Sequence, residues 1–294
     1  MTAPLGPGDS VLVTGAAGVI GRVVAAHLAA AGFDVTGTDR VPAPRDAPPA
    51  GRHVVGDVRD PEFVASCLTG PDGPVAGLVH LAAIPSPGGV PEADLLDINV
   101  TGCYTVLDQA GRAGVRRIVT ASSLSALGLA WAGRDLTPHH LPIDEEHPTL
   151  AVDAYGLSKV LAEEVAAFTT RRWGTPVISL RFPFVGDGDR LRARLDEVAA
   201  DPASNRRELW GWLDTRDAAG AVEAALRTAT AGHHVVNVSA PDTAAEVPTK
   251  DLLAAHFPDV PLRRDLPDHA GLYDTARAES LLGFRTTHSW RPTA

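Results

Sequence analysis

The reading of the fold turns on residues 13–21, VTGAAGVIG. The first two of them close a short apolar run, SVLVT at residues 10–14, and VIGRVVAAHLAAAG at residues 19–32 continues with helical periodicity. A tight strand-to-helix turn needs the backbone freedom of Gly15, approach to a pyrophosphate needs the bare backbone of Gly18, and close helix–strand packing needs Gly21. A helix starting here aims its unpaired N–H groups and positive dipole end at one spot. Gly15, Ala17, Gly18, Val19 and Ile20 are therefore the expected phosphate-side contacts of a dinucleotide. Taken alone, the same glycines could merely shape a loop, because short glycine patterns arise often by chance.

The strands downstream of the run support the first alternative. DVTGTD (34–39), RHVVGD (52–57), AGLVHLA (76–82), RRIVTASS (116–123) and PVISLR (176–181) are apolar nearly throughout, as expected of parallel strands buried on both faces. Helical stretches separate them, so the expected fold class is α/β, a doubly wound parallel sheet with right-handed crossovers. Asp39 ends the second strand, where a carboxylate bonds a ribose 2′-hydroxyl and repels a 2′-phosphate. NAD is thereby favoured over NADP, with the adjacent Arg40 as the feature that would accommodate the extra phosphate. Asp57 and Val58 end the third strand beside the expected adenine edge. Leu81, Ala82 and Ala83 end the fourth with small residues suited to a backbone passing near a ribose.

After Arg181 the rhythm breaks. Residues 182–212 form an excursion rich in charge and loop formers. TRDAAGAVEAALRTAT (215–230) and HHVVNVS (233–239) then read as a helix and strand returning to the sheet. The expected organisation is a dinucleotide-binding unit over 1–182, completed by about 214–240, and a small C-terminal substrate-binding cap from 183–213 and 241–294. The Pro-rich stretch 40–51 reads as a surface loop.

The chemistry is expected at YGLSK, residues 155–159. Tyr155 and Lys159, four apart on a helix, share a face. A phenol, with a pKa of about 10, is a poor base at neutral pH, and a neighbouring ammonium favours the phenolate. Tyr155 would exchange a proton with a substrate hydroxyl or carbonyl while hydride moves to or from a nicotinamide. Lys159 would also hold the nicotinamide ribose, and Ser123, at the end of the fifth strand, would bond the reacting oxygen. Ser86 and Ser125 are further candidates for substrate contact.

Taken together, TGAAGVIG, TASS (120–123), the acidic approach LPIDEEHPTLAVDAYGLSK (141–159) and WLDTRDAAGAVEAAL (212–226) resemble the extended short-chain dehydrogenase/reductase family, the NAD-dependent epimerase/dehydratase type. The resemblance covers almost the whole chain. It implies a Rossmann fold, bound NAD, and Ser123, Tyr155 and Lys159 as catalytic residues. Asn99, in DINVTG, falls on the family's helix asparagine, structural or a proton relay, and Pro183 falls on a nicotinamide contact. Pairing through the two long helices near 93–112 and 154–172 into a homodimer is also implied.

Three departures bear on the substrate. Leu127 precedes Gly128 where sugar-nucleotide enzymes carry Tyr or Phe, RFPFVGDGDR (181–190) replaces their RxxNVYGP, and the cap is short. NRRELWGWLDTRD (205–217) is more similar to the uronate dehydrogenases, which implies Arg207 as the residue for a substrate carboxylate. Leu124 and Ser125 stand where that subfamily has Asn and His.

The remaining composition narrows the partners. With 294 residues, a net charge of −10 and no basic stripe, the chain does not invite nucleic acid. No window has the roughly 18 apolar residues of a membrane span, and the N-terminus lacks a signal-peptide pattern, so a cytoplasmic location is expected. Cys67 and Cys103 read as free buried thiols. His80 reads as a core histidine, His139 and His140 lack a third ligand, so no metal is expected, and Asp187 and Asp189 read as exposed in a mobile loop. Three functions remain in view: an NAD-dependent oxidoreductase of a sugar, sugar acid or similar small molecule; an epimerase or dehydratase that retains its NAD; and a non-catalytic cofactor-binding protein.

Overall fold

Each central strand divides its apolar residues between two helical layers, which is why these strands read as apolar throughout. In the computed structural model, which describes residues 3–44, 51–70 and 73–291, Val11 and Val13 of β1 (Ser10–Thr14) pack with Val24 and Leu28 of α1 (Val19–Ala30). Leu12, between them, faces the opposite layer with Val106 and Leu107. Burial on both faces removes the alternation that a half-exposed strand shows.

The chain continues through β2 (Asp34–Asp39), β3 (Arg52–Val55), α2 (Pro61–Cys67), the small hairpin β4 (Thr69–Gly70) and β5 (Gly73–Pro74), and β6 (Gly77–His80). Then come α3 (Glu92–Leu96), a π-turn at Asp97–Thr101, α4 (Gly102–Ala113), β7 (Arg117–Ser123) and α5 (Ala154–Trp173). The last third holds β8 (Val177–Phe182), β9 (Phe184–Val185), α6 (Gly188–Ala200), a 3₁₀ segment at Pro202–Glu208, β10 (Trp212–Leu213), α7 (Thr215–Arg227), β11 (His233–Asn237), α8 (Thr249–His256) and α9 (Ala276–Leu282). Seven strands form one parallel sheet in the order β11-β8-β7-β6-β1-β2-β3. The order reverses between β1 and β6, the switch point where such sheets take their ligands.

Local chemistry sets the helix ends that matter for the site. Asp153 caps α5, its carboxylate accepting the Gly156 N–H at 2.8 Å, and Gly174 closes the helix in the left-handed conformation at φ 71°. The single long helix expected near 93–112 is instead α3 and α4 joined by the π-turn, with Asn99 at its centre. One extra residue in the ladder is a device common at functional sites.

The excursion 182–212 is more ordered than its composition suggested. It holds α6, the 3₁₀ segment and the short parallel pair β9–β10. Charge hid the helix: α6 fully buries only Val198, and its narrow apolar stripe of Leu191, Leu195 and Val198 is set among arginines and carboxylates. Asp187 is half-buried and accepts the Thr215 hydroxyl, so it is not the exposed residue that was expected there. Asp189, by contrast, is exposed. Residues 45–50 of the Pro-rich stretch lie outside the described residues.

A second core, beside the sheet's carboxyl edge, gathers Val198, Leu209, Trp210 and Trp212 with Leu252, Leu253 and Leu272. It also draws in Leu129, Leu141 and Ile143 from the long β7–α5 connection, while Ala278 of α9 packs into the core of the sheet. No helix among the described residues is long and apolar enough to cross a membrane.

Candidate active site

The β1–α1 turn is built against the end of β6. Gly15 has φ 71°, and a Cβ there would lie 2.7 Å from the Ala82 nitrogen. Thr14 ties the same two strands, its hydroxyl oxygen accepting N–H groups of Leu81 and Ala82 at 3.2 and 3.3 Å and contacting His80 Nδ1 at 2.8 Å. A Cβ on Gly21 would strike the Gly15 carbonyl oxygen at 2.0 Å, so that glycine serves packing. Gly18 differs: only the Gly15 carbonyl oxygen, at 3.2 Å, lies within reach of an added Cβ, and the residue lines a cavity.

That cavity, about 590 Å³, runs from the glycine turn across the carboxyl ends of the strands. Gly15, Gly18, Val19 and Ile20 form one end, and Leu81, Ala83 and Ser86 continue the wall after β6. Ser123 and Ser125 enter from β7 and the turn after it, Tyr155 and Lys159 from α5, and Pro183 from just beyond β8. Residues scattered from 15 to 183 therefore share one space.

Within it, Tyr155, Lys159 and Ser123 are 7, 6 and 8% exposed. The Lys159 ammonium donates to the Ala121 carbonyl at 3.0 Å and lies 5.6 Å from the centre of the Tyr155 ring. Ser123 accepts the Ser125 N–H at 3.0 Å, which leaves its own hydroxyl proton to donate. Asn99 and Ala82 stand behind this group rather than in the main cavity, lining with Lys159 and His80 a pocket of about 10 Å³. The Asn99 amide donates to Ile84 O at 3.1 Å and Ser158 Oγ at 3.0 Å and accepts the Ile84 N–H at 2.7 Å. His80 is buried, and desolvation, reinforced by the nearby Lys159 charge, pushes its pKa down to about 3.

Beneath the floor lies a buried ion pair. Arg181 of β8 grips Glu163 of α5 through two bonds of 2.8 Å, and Ser122 donates to the same carboxylate at 2.5 Å. Glu163 stands one turn after Lys159, so this clamp fixes α5 relative to the strand that carries Ser123.

The remaining predicted residues lie outside the cavity wall. Asp39 is tethered to the glycine turn, its Oδ2 accepting the Ala17 N–H at 3.1 Å, while Oδ1 has only a 3.4 Å contact from the Val41 N–H. Arg40 beside it is exposed. Asp57 is gripped by Arg59, whose hydrogen bonds hold its carboxyl below the usual range, and Val58 is buried against Gly102. Arg207 spans the Ala132 carbonyl at 2.5 Å and Asp135 at 3.0 Å. His139 and His140 pack their rings against His147, 5.1 and 5.2 Å between centroids.

Sequence reasoning missed Trp131, Arg190, Arg194, Glu208 and Tyr273 in the cavity wall. The two arginines had a signal: four residues apart, they share a face once the stretch is read as a helix. Glu208 had none, because it is placed by two left-handed residues after it, Leu209 at φ 51° and Trp210 at φ 53°.

The profile of the NAD dependent epimerase/dehydratase family matches residues 11–239. The chain belongs to that family. It is 32% identical to the UDP-glucose 4-epimerase of Streptomyces lividans over 183 residues, 61% of this chain and 53% of that enzyme, so it spans about half of that relative's length. To the uronate dehydrogenase of Pseudomonas syringae pv. tomato it is 29% identical over 237 residues, 78% of this chain and 74% of that one. A short-chain dehydrogenase/reductase superfamily protein from Agrobacterium tumefaciens, solved with bound NAD, superposes with a TM-score of 0.71 at 27% identity, covering 96% of this chain and 93% of that one.

NAD, the family's cofactor, fits the residues present. The bare face of Gly18 opens into the cavity, and Asp39 is fixed beside the turn with an oxygen still able to accept. Gly15, Gly18, Val19 and Ile20 would hold the pyrophosphate at the α1 N-terminus, Asp39 the adenosine ribose, and Lys159 with Pro183 the nicotinamide end.

Proposed function

We propose that the protein is an NAD-dependent dehydrogenase acting on a hydroxyl of a free sugar, a sugar acid or a similar polyhydroxylated small molecule. The observation that carries this is the far end of the cavity. Around Tyr155 and Ser123 it is lined by Phe184, Arg190, Arg194 and Tyr273, which sets serine hydroxyls and the Arg190 guanidinium about a polar ligand. Similarity points the same way, reaching across 74% of the uronate dehydrogenase against 53% of the epimerase.

Each buried side chain has its own part in the transfer. Ser123 donates its hydroxyl proton to the reacting oxygen and orients it. Tyr155, reacting as the phenolate, takes the proton from the substrate hydroxyl and becomes the phenol. Lys159, pinned by the Ala121 carbonyl, keeps a positive charge beside the phenol as that proton moves. When bound, NAD supplies the acceptor for the hydride that leaves the substrate carbon. Burial of all three side chains limits the water that reaches them.

Incubating the protein with NAD and a panel of aldoses, hexuronates and nucleotide sugars tests the reading, with NADH absorbance and product analysis as readouts. NADH should accumulate with a free sugar or sugar acid. Interconversion of nucleotide sugars without net NADH would replace the dehydrogenase by the cofactor-retaining epimerase. We also propose a homodimer through α4 and α5, where Tyr104, Leu157 and Leu161 are exposed; light scattering would read it.

A further inference from the structure

Four cationic or anionic side chains line the cavity: Lys159, Arg190, Arg194 and Glu208. Lys159 belongs to the proton-transfer group. Arg194 is spent, pairing with Glu208 at 3.0 Å and lying 4.6 Å from the centre of the Phe184 ring. Arg190 has a different set of contacts. Its guanidinium lies 4.8 Å from the centre of the same ring, and its Nε donates to the Val185 carbonyl at 3.0 Å. Those two contacts fix the plane of the guanidinium. No carboxylate among the described residues pairs with it, and both of its Nη groups remain available as donors.

Resting on the proposed dehydrogenase reading, we infer that Arg190 is the residue that selects an anionic substrate, receiving the carboxylate of a sugar acid on its free Nη edge. A planar fork of two donors matches a carboxylate in a way that an ammonium does not. In a chain of net charge −10, a pre-oriented guanidinium without a counter-ion is the feature that would draw an anion into the cavity. Arg194 acts as a strut. Its pairing with Glu208 neutralises that carboxylate, which would otherwise repel the substrate, and its stacking holds Phe184 against Arg190. Arg207, the arginine that the resemblance singled out, does not line the cavity and already has Asp135 as its counter-ion. The anion site has thus moved from the 3₁₀ segment to α6.

The test compares Arg190→Gln, Arg190→Lys and Arg207→Gln in the NAD-loaded protein, with calorimetric affinity for D-galacturonate and D-glucuronate, affinity for NAD, and turnover as readouts. Arg190→Gln should weaken hexuronate binding by roughly 10- to 100-fold and leave NAD affinity unchanged, with the loss appearing in KM and little in kcat. Arg190→Lys should recover only part of it, and Arg207→Gln should lose less than either. Larger loss in Arg207→Gln, loss of NAD affinity in Arg190→Gln, or no hexuronate binding by the wild type overturns the inference. So does a wild type that binds UDP-glucose through Arg190 in place of hexuronates. Binding without NADH production, if abolished in Arg190→Gln, retires the dehydrogenase reading and keeps this one. Oxidation of neutral sugars with no hexuronate binding does the reverse.

Discussion

Two helices wall the candidate active site, and they are built on opposite terms. α5 buries Tyr155, Ser158, Lys159 and Glu163, polar groups held in the core by specific partners. α6, one residue in thirteen fully buried, rests a narrow stripe of Leu191, Leu195 and Val198 on the second core and sets Arg190 and Arg194 against the Phe184 ring on an otherwise charge-rich, exposed helix. Chemistry requires reacting atoms fixed within fractions of an ångström, and burial supplies that stiffness. Recognition can sit on a thinner element, where substitutions cost little stability. The cap side of the cavity is therefore where relatives with one chemistry can diverge in substrate.

The comparison is broken most directly on α5. Replacing Tyr155 by Phe removes the oxygen that takes the proton and keeps the ring, and kcat should fall by about 10²- to 10⁴-fold while fluorescence-monitored NAD binding persists. A variant that retains wild-type turnover would end the catalytic reading of the helix altogether. The clamp below comes next. Glu163→Gln leaves Arg181 charged and buried without its partner, which should cost about 3–5 kcal/mol in denaturant unfolding, and Glu163→Gln with Arg181→Met should recover much of that. An exposed pair on α6, such as Arg192 with Asp189, should move the same measurement by about 0–1 kcal/mol. Equal losses in the two places would refute the contrast.

The contrast also explains what was legible in the sequence. Gly15, Gly18, Gly21, Tyr155 and Lys159 announce themselves because backbone freedom and helical spacing are local properties, and the strands announce themselves because burial on both faces makes them apolar. α6 stayed hidden for the opposite reason, since its stripe of Leu191, Leu195 and Val198 is narrow and set among charged residues. Asp57 was expected beside the adenine edge, and no spacing rule discloses that Arg59, two residues on, grips its carboxylate through three side-chain hydrogen bonds and one from its backbone N–H. The π-turn at Asn99 and the left-handed pair at Leu209 and Trp210 depend on tertiary packing that no local window contains. Arg207 stood out by resemblance, while the guanidinium that faces the cavity was placed by a turn of helix the composition disguised.

Between the extremes lies the cofactor end. Asp39 is tethered by one backbone bond and partly exposed, so it should behave as a binding group with modest structural weight. Asp39→Ala should weaken NAD by about 10- to 100-fold, the range for a hydrogen bond to a charged group, and weaken NADP less, since the repulsion of a 2′-phosphate goes with the carboxylate. Unchanged preference between the two cofactors in direct binding measurements would remove Asp39 from the ribose.

The smallest effect per step, and the one that locates the stiffness of the floor, is the response to acid. Desolvation depresses the pKa of His80 to about 3 and of His233 to about 4, and burial also lowers that of His147. His80 lies under Lys159, and His233 contacts Ser179 of β8 at 3.0 Å, so both belong to the sheet beneath α5 rather than to α6. In the unfolded chain these rings take up a proton near pH 6.5, whereas in the folded protein they stay neutral. Below that pH the unfolded state binds more protons, so stability must fall as pH falls. The loss approaches about 1.4 kcal/mol per pH unit for each ring, beginning near pH 6.5 and ending for His233 near pH 4 and for His80 near pH 3. The hydrogen-bonded carboxylates of Asp57, Asp108 and Asp214, depressed below 3.8, contribute only at the acid end of that window. Denaturant midpoints collected from pH 7 to 4.5 read the histidines against Glu145, whose carboxyl burial pushes up and whose contribution has the opposite sign. A flat profile over that interval would mean that the floor admits protons freely, and the rigidity assigned to it would have to come from elsewhere.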